Sequence, residues 1–324
     1  MSETIVTGTR YAKTYFEERG LKFKFIGGVN ANNKQVILSN NKENSVEIEG
    51  LQASVSIEMY GATMLPLANV EIYNLPVDLA NQISTMGLYT VVAAQKASQI
   101  IIYGKRAETS NGQGIYSKIF QGSIVVAYDD YNATPERITY IQLTTMGEYS
   151  GSVAPSVSFK GEVSAEEAVR AIVINDRSPI LRVQNMNVNI VFNNPNFYGD
   201  IITQLNQCAK AGNFQYAFRG LQTLYIYPKG ASLTLDTPIR CSPYHGMIGY
   251  PKYSSNGIIV RNVFIPSIVY GQAVEIRDSQ IQPANGVWEN MVTLKHKLSC
   301  LIPEGEWETE IEVSKQAVRK STAL

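Results

Sequence analysis

Residues Gly246 to Ile276 read GMIGYPKYSSNGIIVRNVFIPSIVYGQAVEI, and two readings of that stretch compete. His245 stands just before glycines 246 and 249, as in a loop that cradles a ligand; long apolar runs come after them, as in a wall. A glycine loop that holds an anion needs a helix N-terminus behind it, to aim backbone N–H groups at the charge. No helical period succeeds Gly249. GIIVRNVFI is apolar at both even and odd positions, the pattern of a strand buried on both faces. The stretch reads as wall, and the fold is therefore sought as a β structure.

Composition agrees with an assembly component better than with a polyanion binder. The 324 residues carry 28 basic and 28 acidic side chains, so no bulk field attracts nucleic acid or an anionic membrane. Charged residues are 17% of the chain, below the ~25% usual in soluble proteins, while tyrosines number 19. A polar, weakly charged surface of that kind suits burial between subunits. The opening MSETIVTGTRYAKTYFEERG has charges throughout and no apolar core of a signal peptide, and no run of about 18 apolar residues exists. Three widely spaced cysteines, Cys208, Cys241 and Cys300, offer neither a disulfide framework nor a zinc site, as expected of a chain made in a reducing cytoplasm.

Alternation predicts a mainly β chain with an α+β insert, divided into five parts: an arm over 1–20, a first β-barrel over 21–148, a small α+β domain over 149–235, a second barrel over 236–315 and a tail over 316–324. In the first barrel SVEIEG, ASVSIEM, NVEIYNL, SQIIIYGKR, IFQGSIVVAYDD and RITYIQLTT read as strands. Pro76 starts a helix with Leu79, Ile83 and Met86 on one face and Gly87 as its stop. In the insert, Ser164 and Glu167 have capping-box spacing before Ala165, Ala168, Val169 and Ile172. Phe197, Ile201, Leu205 and Cys208 make a second helical stripe ending at Gly212, and FQYAFRGLQTLYIYPKG reads as a hairpin turning at Arg219 and Gly220. GIIVRNVFI, QAVEIRD, GVWENMVTLKHKL and GEWETEIEV are the strands of the second barrel. Val70-Glu71-Ile72 recurs as Val274-Glu275-Ile276, each a few residues after a proline (Pro66, Pro266), the trace an internal duplication would leave.

Chemistry-bearing constellations are few. His245 and His296 have no partner at metal or catalytic spacing; the first reads as capped beside a turn, the second as packed within a strand. Asp129 and Asp130 are the best acidic pair, suited to glycoside hydrolysis or a cation, but Asn132 and Pro135 after them are turn residues. Glu166 and Glu167 open a helix, where acids favour the dipole. SNGQG over 110–114 matches no phosphate-loop pattern, and Asn132-Ala133-Thr134 is a sequon without an export signal. Trp288 and Trp307, with Tyr244, Tyr250 and Tyr253, could stack on sugars or bases, but a tryptophan at a strand start more often closes a barrel end. The expected site inventory is therefore empty: no catalytic residue, no cofactor ligand, no metal ligand.

The same stretches carry a resemblance. Gly246, Ile248, Gly249 and Pro251, then Gly257, Phe264, Pro266 and Gly271, then Val274 and Ile276, Gly286 with Trp288, Leu294 with His296, and Gly305 with Trp307 and Thr309 resemble the C-terminal part of baseplate hub proteins of contractile-tailed bacteriophages, the Mu-type tail hub or late control D-like family. FKGEVSAEEAVRAIV, NPNFYGDIITQLNQCAKAGNFQYAF and LYIYPKG are similar to that family's middle domain, and IFQGSIVVAYDDYNATPERITYIQL to its first barrel, so the likeness runs over about 20–315. It implies two tail-tube-like barrels flanking the α+β domain, and a homotrimer presenting a pseudo-sixfold ring between a hexameric tail tube and a trimeric central spike. It further implies wedge and tape-measure proteins as partners, DNA only in transit through the lumen, no membrane insertion, no enzymatic activity and a place in the virion baseplate. The alternatives weighed are a distal-tail or tube-like hexameric ring protein, a glycan-binding β module of a tail, and an acid–base glycosidase using Asp129 or Asp130.

Overall fold

The computed structural model describes residues 19–29, 34, 36, 38, 44–60, 64–84, 97–107, 114–132, 135–145, 154–174, 180, 182–219, 223–233 and 237–314. Met86, Gly87, the 108–113 loop and the 220–222 turn, on which parts of the sequence reading rest, lie outside them, as do the proposed arm (save Arg19 and Gly20) and tail.

The chain is mostly β. The first strands are β1 (Leu21–Ile26), β2 (Ser45–Glu49), β3 (Ala53–Tyr60) and β4 (Leu67–Tyr73). After helix α1 (Val77–Ser84) come β5 (Gln99–Ala107), the long β6 (Gly114–Asp130) and β7 (Ile138–Thr144). The middle region holds β8 (Val157–Ser158), β9 (Glu162–Ser164), α2 (Ala165–Val173), β10 (Arg182–Asn185), β11 (Val191–Asn193), β12 (Asn196–Phe197), α3 (Ile201–Ala211), β13 (Phe214–Arg219) and β14 (Thr223–Pro228). The last region holds β15 (Ile239–Cys241), β16 (Lys252–Tyr253), β17 (Ile258–Val263), β18 (Val274–Ile276), β19 (Gly286–Trp288), β20 (Asn290–Cys300) and β21 (Trp307–Ser314).

Eleven strands form one sheet in the order β16-β17-β21-β20-β3-β4-β7-β6-β5-β1-β2. The two β regions are therefore continuous through backbone hydrogen bonds: β20 pairs with β3 from Thr293↔Tyr60 to Cys300↔Ala53. The described strands close no barrel. One face of the sheet is apolar along its whole width, with Phe23, Ile102, Leu143, Val70, Ile57, Leu298, Ile311 and Val260 all nearly inaccessible. Alternation explains this, since successive side chains point to opposite faces.

GIIVRNVFI is not buried twice. In β17 Ile258, Val260 and Asn262 are buried while Ile259, Arg261 and Val263 are not, so the strand has one core face like its neighbours. The second apolar set belongs to the turn after the strand, where Phe264 and Ile265 leave the ladder and enter the core.

The middle region packs α2 and α3 around their own cluster, which includes Val169, Ile172, Leu205, Cys208 and Leu224. Ser164 caps α2 with a full capping box, its Oγ accepting from the Glu167 N–H while the Glu167 carboxylate accepts from the Ser164 N–H. α3 begins later than the apolar spacing suggests. Asp200 is its N-cap, accepting from the Thr203 N–H at 2.6 Å, and Phe197 sits in β12 instead. β13 and β14 make the expected hairpin, with Arg219 as the last strand residue.

Gly271 combines a left-handed backbone with a close neighbour. Its φ is +87°, and a Cβ added there would lie 2.7 Å from Leu233 Cβ. Its carbonyl accepts the Leu233 N–H at 2.6 Å, tying the end of the middle region to the turn before β18. Gly271→Val is expected to lower stability by roughly 2 kcal/mol through strain and overpacking, with oligomer yield falling alongside. A normal melting curve with normal oligomer yield would show that the turn gives way.

Candidate assembly surface

The sheet contains the same four-strand unit twice. β3, β4, β6 and β7 lie in the order β3-β4-β7-β6, and β16, β17, β20 and β21 lie in the order β16-β17-β21-β20, all antiparallel. The match extends to irregularities. The β6–β7 ladder skips a residue between Ile124 and Val126, and the β20–β21 ladder does so between Met291 and Thr293. Counting from those bulges, Asp129 falls opposite Thr139 and His296 opposite Thr309.

Each pair is joined by a side-chain hydrogen bond across the ladder. The buried Thr139 Oγ1 donates to Asp129 Oδ1 at 2.5 Å, and the buried Thr309 Oγ1 lies 3.0 Å from His296 Nδ1. Val70 and Val260 match across the second strand of each unit. Each unit then leaves the sheet through a buried aliphatic joined to proline, Leu75-Pro76 and Ile265-Pro266. The VEI echo does not mark this relation: Val70 to Ile72 lie in β4 of the large sheet, whereas Val274 to Ile276 lie in a separate three-stranded sheet, β15-β18-β19.

The exposed face of the large sheet is polar and its charges are matched across strands. Lys295 stands in register between Glu310 and Glu58, its Nζ 3.2 Å from Glu58 Oε1. Arg261 grips the nearly buried Glu308 carboxylate through Nε and Nη2, and Glu47 receives both Lys22 and Lys24. The two lysines and their hydrogen bonds hold the Glu47 carboxyl below the usual carboxylate range. Between these ladders, Tyr128 and Tyr140 stack with ring centroids 5.2 Å apart.

The sequence of this chain matches the baseplate hub gp41 family over residues 34–298. The chain belongs to that family. Membership makes it a structural component of a phage baseplate, located in the virion tail and built into an assembly with other tail proteins. No curated protein matches its sequence significantly. Among solved structures, it is similar to a tail protein from Neisseria meningitidis MC58, with a TM-score of 0.60 and 9% identity over 92% of this chain and 97% of that one. The 43 kDa tail protein of prophage MuSo2 from Shewanella oneidensis gives 0.58 and 9% over the same shares. The E. coli c3393 protein, a type VI secretion component described as similar to the T4 bacteriophage tail proteins gp27 and gp5, gives 0.52 and 8% over 83% and 74%. At such identities the likeness is one of fold.

The residues singled out for chemistry are dispersed in this family member. Asp129 faces Arg137 at 3.8 Å, and Asp130 Oδ1 accepts the Asn132 N–H, an ordinary Asx turn at the end of β6. Glu166 pairs with Arg170 and Glu167 caps its helix. His245 is exposed, its Nδ1 2.7 Å from Ser242 Oγ. His296 is buried against the edge of Phe264, and burial lowers its pKa to about 4.

Trp288 and Trp307 are both buried, the first donating Nε1–H to the Ala284 carbonyl and the second packed edge-on to Phe264. They are no platform for a sugar; Tyr244, Tyr250 and Tyr253 remain exposed without them. The cysteines are free and buried, and burial pushes Cys208 and Cys241 up to about 12. Among the described residues no cluster of His, Cys, Asp and Glu could hold a metal, and no helix is long and apolar enough to cross a membrane. Sequence reasoning expected a duplication but hung it on the VEI echo, and missed which strands correspond. The Leu-Pro and Ile-Pro dipeptides closing two alternating strands were the visible signal of that correspondence.

Proposed function

We propose that this chain is the hub subunit whose three copies form a pseudo-sixfold ring between the hexameric tail tube and the trimeric central spike. The observation that supports it is the four-strand unit repeated within one sheet. A threefold object meets a sixfold one by offering two like faces per chain, and two copies of one unit in each of three chains make six. The units at 21–148 and 236–315 then act as two tube-like barrel domains. The α+β domain at 149–235 lies outside the ring, towards wedge proteins, with the arm at 1–20 and the tail at 316–324 beyond them. The charge-matched face of the sheet turns to the lumen, where the tape-measure protein and then DNA pass; pairing leaves little free positive field to hold a polyanion. The chain works through interfaces, not catalysis, since Asp129 and His296 are each engaged with the matching threonine of the neighbouring strand.

Light scattering on the purified protein tests the reading. Three chains of 35.8 kDa are expected, and the trimer should bind the tail tube and spike proteins when mixed with them. A hexamer would make it a tube-like ring protein, and a monomer that ignores both partners would refute the adaptor role. The protein is also expected to leave cell-wall polysaccharide intact; hydrolysis that disappears in an Asp129→Asn, Asp130→Asn variant would make it an enzyme.

A further inference from the structure

Three Asn-Gly pairs occur in the chain, at 111–112, 256–257 and 285–286, and the first lies outside the described residues. Asparagine before glycine is the pair most open to succinimide formation. In that reaction the following backbone nitrogen attacks the side-chain amide carbon, and glycine has no Cβ to hinder the approach. The two described pairs are held differently. Asn285 is fixed at both ends of its amide, Oδ1 accepting the Ser279 N–H at 3.0 Å and Nδ2 donating to the Ser279 carbonyl at 3.1 Å. Asn256 is exposed in the turn between β16 and β17, where the Ser254 N–H donates to the Gly257 carbonyl at 2.9 Å. Gly257 has no substitute there, because an added Cβ would stand 2.1 Å from the Val313 carbonyl oxygen. Packing therefore keeps a susceptible pair at an exposed turn.

The neighbours of Asn256 are arranged for the reaction. The Gly257 N–H donates to Ser254 Oγ at 3.0 Å, and Ser254 Oγ donates to Glu312 Oε1 at 2.7 Å. The Asn256 Nδ2 donates to that same carboxylate oxygen at 3.2 Å. The attacking nitrogen, a relaying hydroxyl and the leaving nitrogen thus share one chain of hydrogen bonds that meets at a carboxylate of β21. A general base works within hydrogen-bond reach of its proton, or through one intervening group.

We infer that Asn256 modifies itself, with Ser254 and Glu312 relaying the proton of Gly257. The Gly257 nitrogen bonds to Asn256 Cγ while its proton passes through Ser254 Oγ to Glu312. The Cγ–Nδ2 bond breaks, and Nδ2 takes that proton from Glu312 and leaves as ammonia. Water then opens the succinimide to an aspartate or isoaspartate at position 256. The step is intramolecular, so it is independent of the three-copy reading. Its product sets a second carboxylate beside Glu312 where a neutral donor stood. That repulsion loosens β16, which is joined to β17 by two residue pairs, Lys252↔Ile259 and Tyr253↔Ile258.

Peptide mapping of the full-length protein during incubation near neutral pH tests the inference. Conversion at Asn256 is expected to outrun that at Asn285, and to be faster in the folded chain than at the same site in urea. Ser254→Ala and Glu312→Gln are each expected to slow it by about tenfold or more, a positioned base contributing ~10²–10⁴-fold. A merely structural role for either residue predicts the reverse, because a loosened turn frees its asparagine for attack. Faster conversion in Ser254→Ala, whose side chain lies in the turn and outside the core, would therefore overturn the relay even if Glu312→Gln folds poorly. An Asn256 that stays intact, or converts no faster folded than in urea, would overturn the site itself. Converted chains are also expected to be cut several-fold faster by trypsin after Lys252, and an unchanged rate would overturn the loosening of β16.

Discussion

Phe264→Ala is expected to cost about 3–5 kcal/mol, the range for emptying a buried aromatic site. Phe264 comes directly after β17 in the second unit, yet its ring is wholly buried in the cluster dominated by the first. It meets Trp307 edge-on at 5.4 Å and His296 at 5.5 Å, and it lies over Gly104 in β5, where an added Cβ would be 2.7 Å from its Cζ. The absence of a side chain at Gly104 is what lets the ring approach. Backbone pairing of β20 with β3 joins the units along one line, and Phe264 joins them across the buried face of the sheet. Its loss should therefore uncouple as well as destabilise. Melting followed by calorimetry should show one transition in the parent and a lower, broader or split one in the variant, with Val191→Ala, at an exposed site, unchanged. A variant that melts as one sharp transition within a degree or two of the parent would mean the units are held by the β20–β3 ladder alone.

Local order was legible in the sequence, and partnership was not. Alternation marked ASVSIEM, RITYIQLTT and GEWETEIEV because each strand of this sheet has one wet face, and the wet face is polar. The Ser164–Glu167 spacing marked the start of α2 because a capping box is a bond between near neighbours. A local pattern with two sources misleads. Phe197 continues the α3 stripe by spacing but is held in β12 opposite Val157, and the true start, Asp200, is set by its bond to Thr203. In GIIVRNVFI, one core face and the turn after it merge into an apparent strand buried twice. The pairing of β20 with β3 spans more than two hundred residues of chain, and no period within either strand encodes it. The correspondence between the two units was hidden for a related reason. Its matched positions share geometry and burial but seldom identity, as Asp129 against His296 shows.

Acid is expected to weaken the fold through His296 between about pH 6.5 and pH 4. The imidazole is almost inaccessible, its Nδ1 beside Thr309 Oγ1 and its ring against Phe264, and burial brings its pKa down to about 4 from 6.5. Above pH 6.5 the ring is neutral in both folded and unfolded chains, and its neutral packing is retained in full. As pH falls below 6.5 the unfolded chain takes up a proton that the folded chain refuses, so stability declines until the folded value near 4 is reached. The gap of 6.5 to about 4 corresponds to roughly 3 kcal/mol at ~1.4 kcal/mol per unit. Denaturant unfolding at pH 7 and pH 4.5 would measure it, with His296→Gln as the comparison. That variant starts less stable, but carboxylates elsewhere titrate equally in both proteins, so the difference in pH slope belongs to the histidine. The parent should lose ~2–3 kcal/mol more than the variant over that interval. Parallel slopes would mean that the protonated ring finds room and partners inside the fold. Because His296 lies in β20, next to both β3 and Phe264, its protonation acts on the join between the units. The first unit, with Asp129 in the same place, carries no such imidazole, so acid should loosen the second unit first.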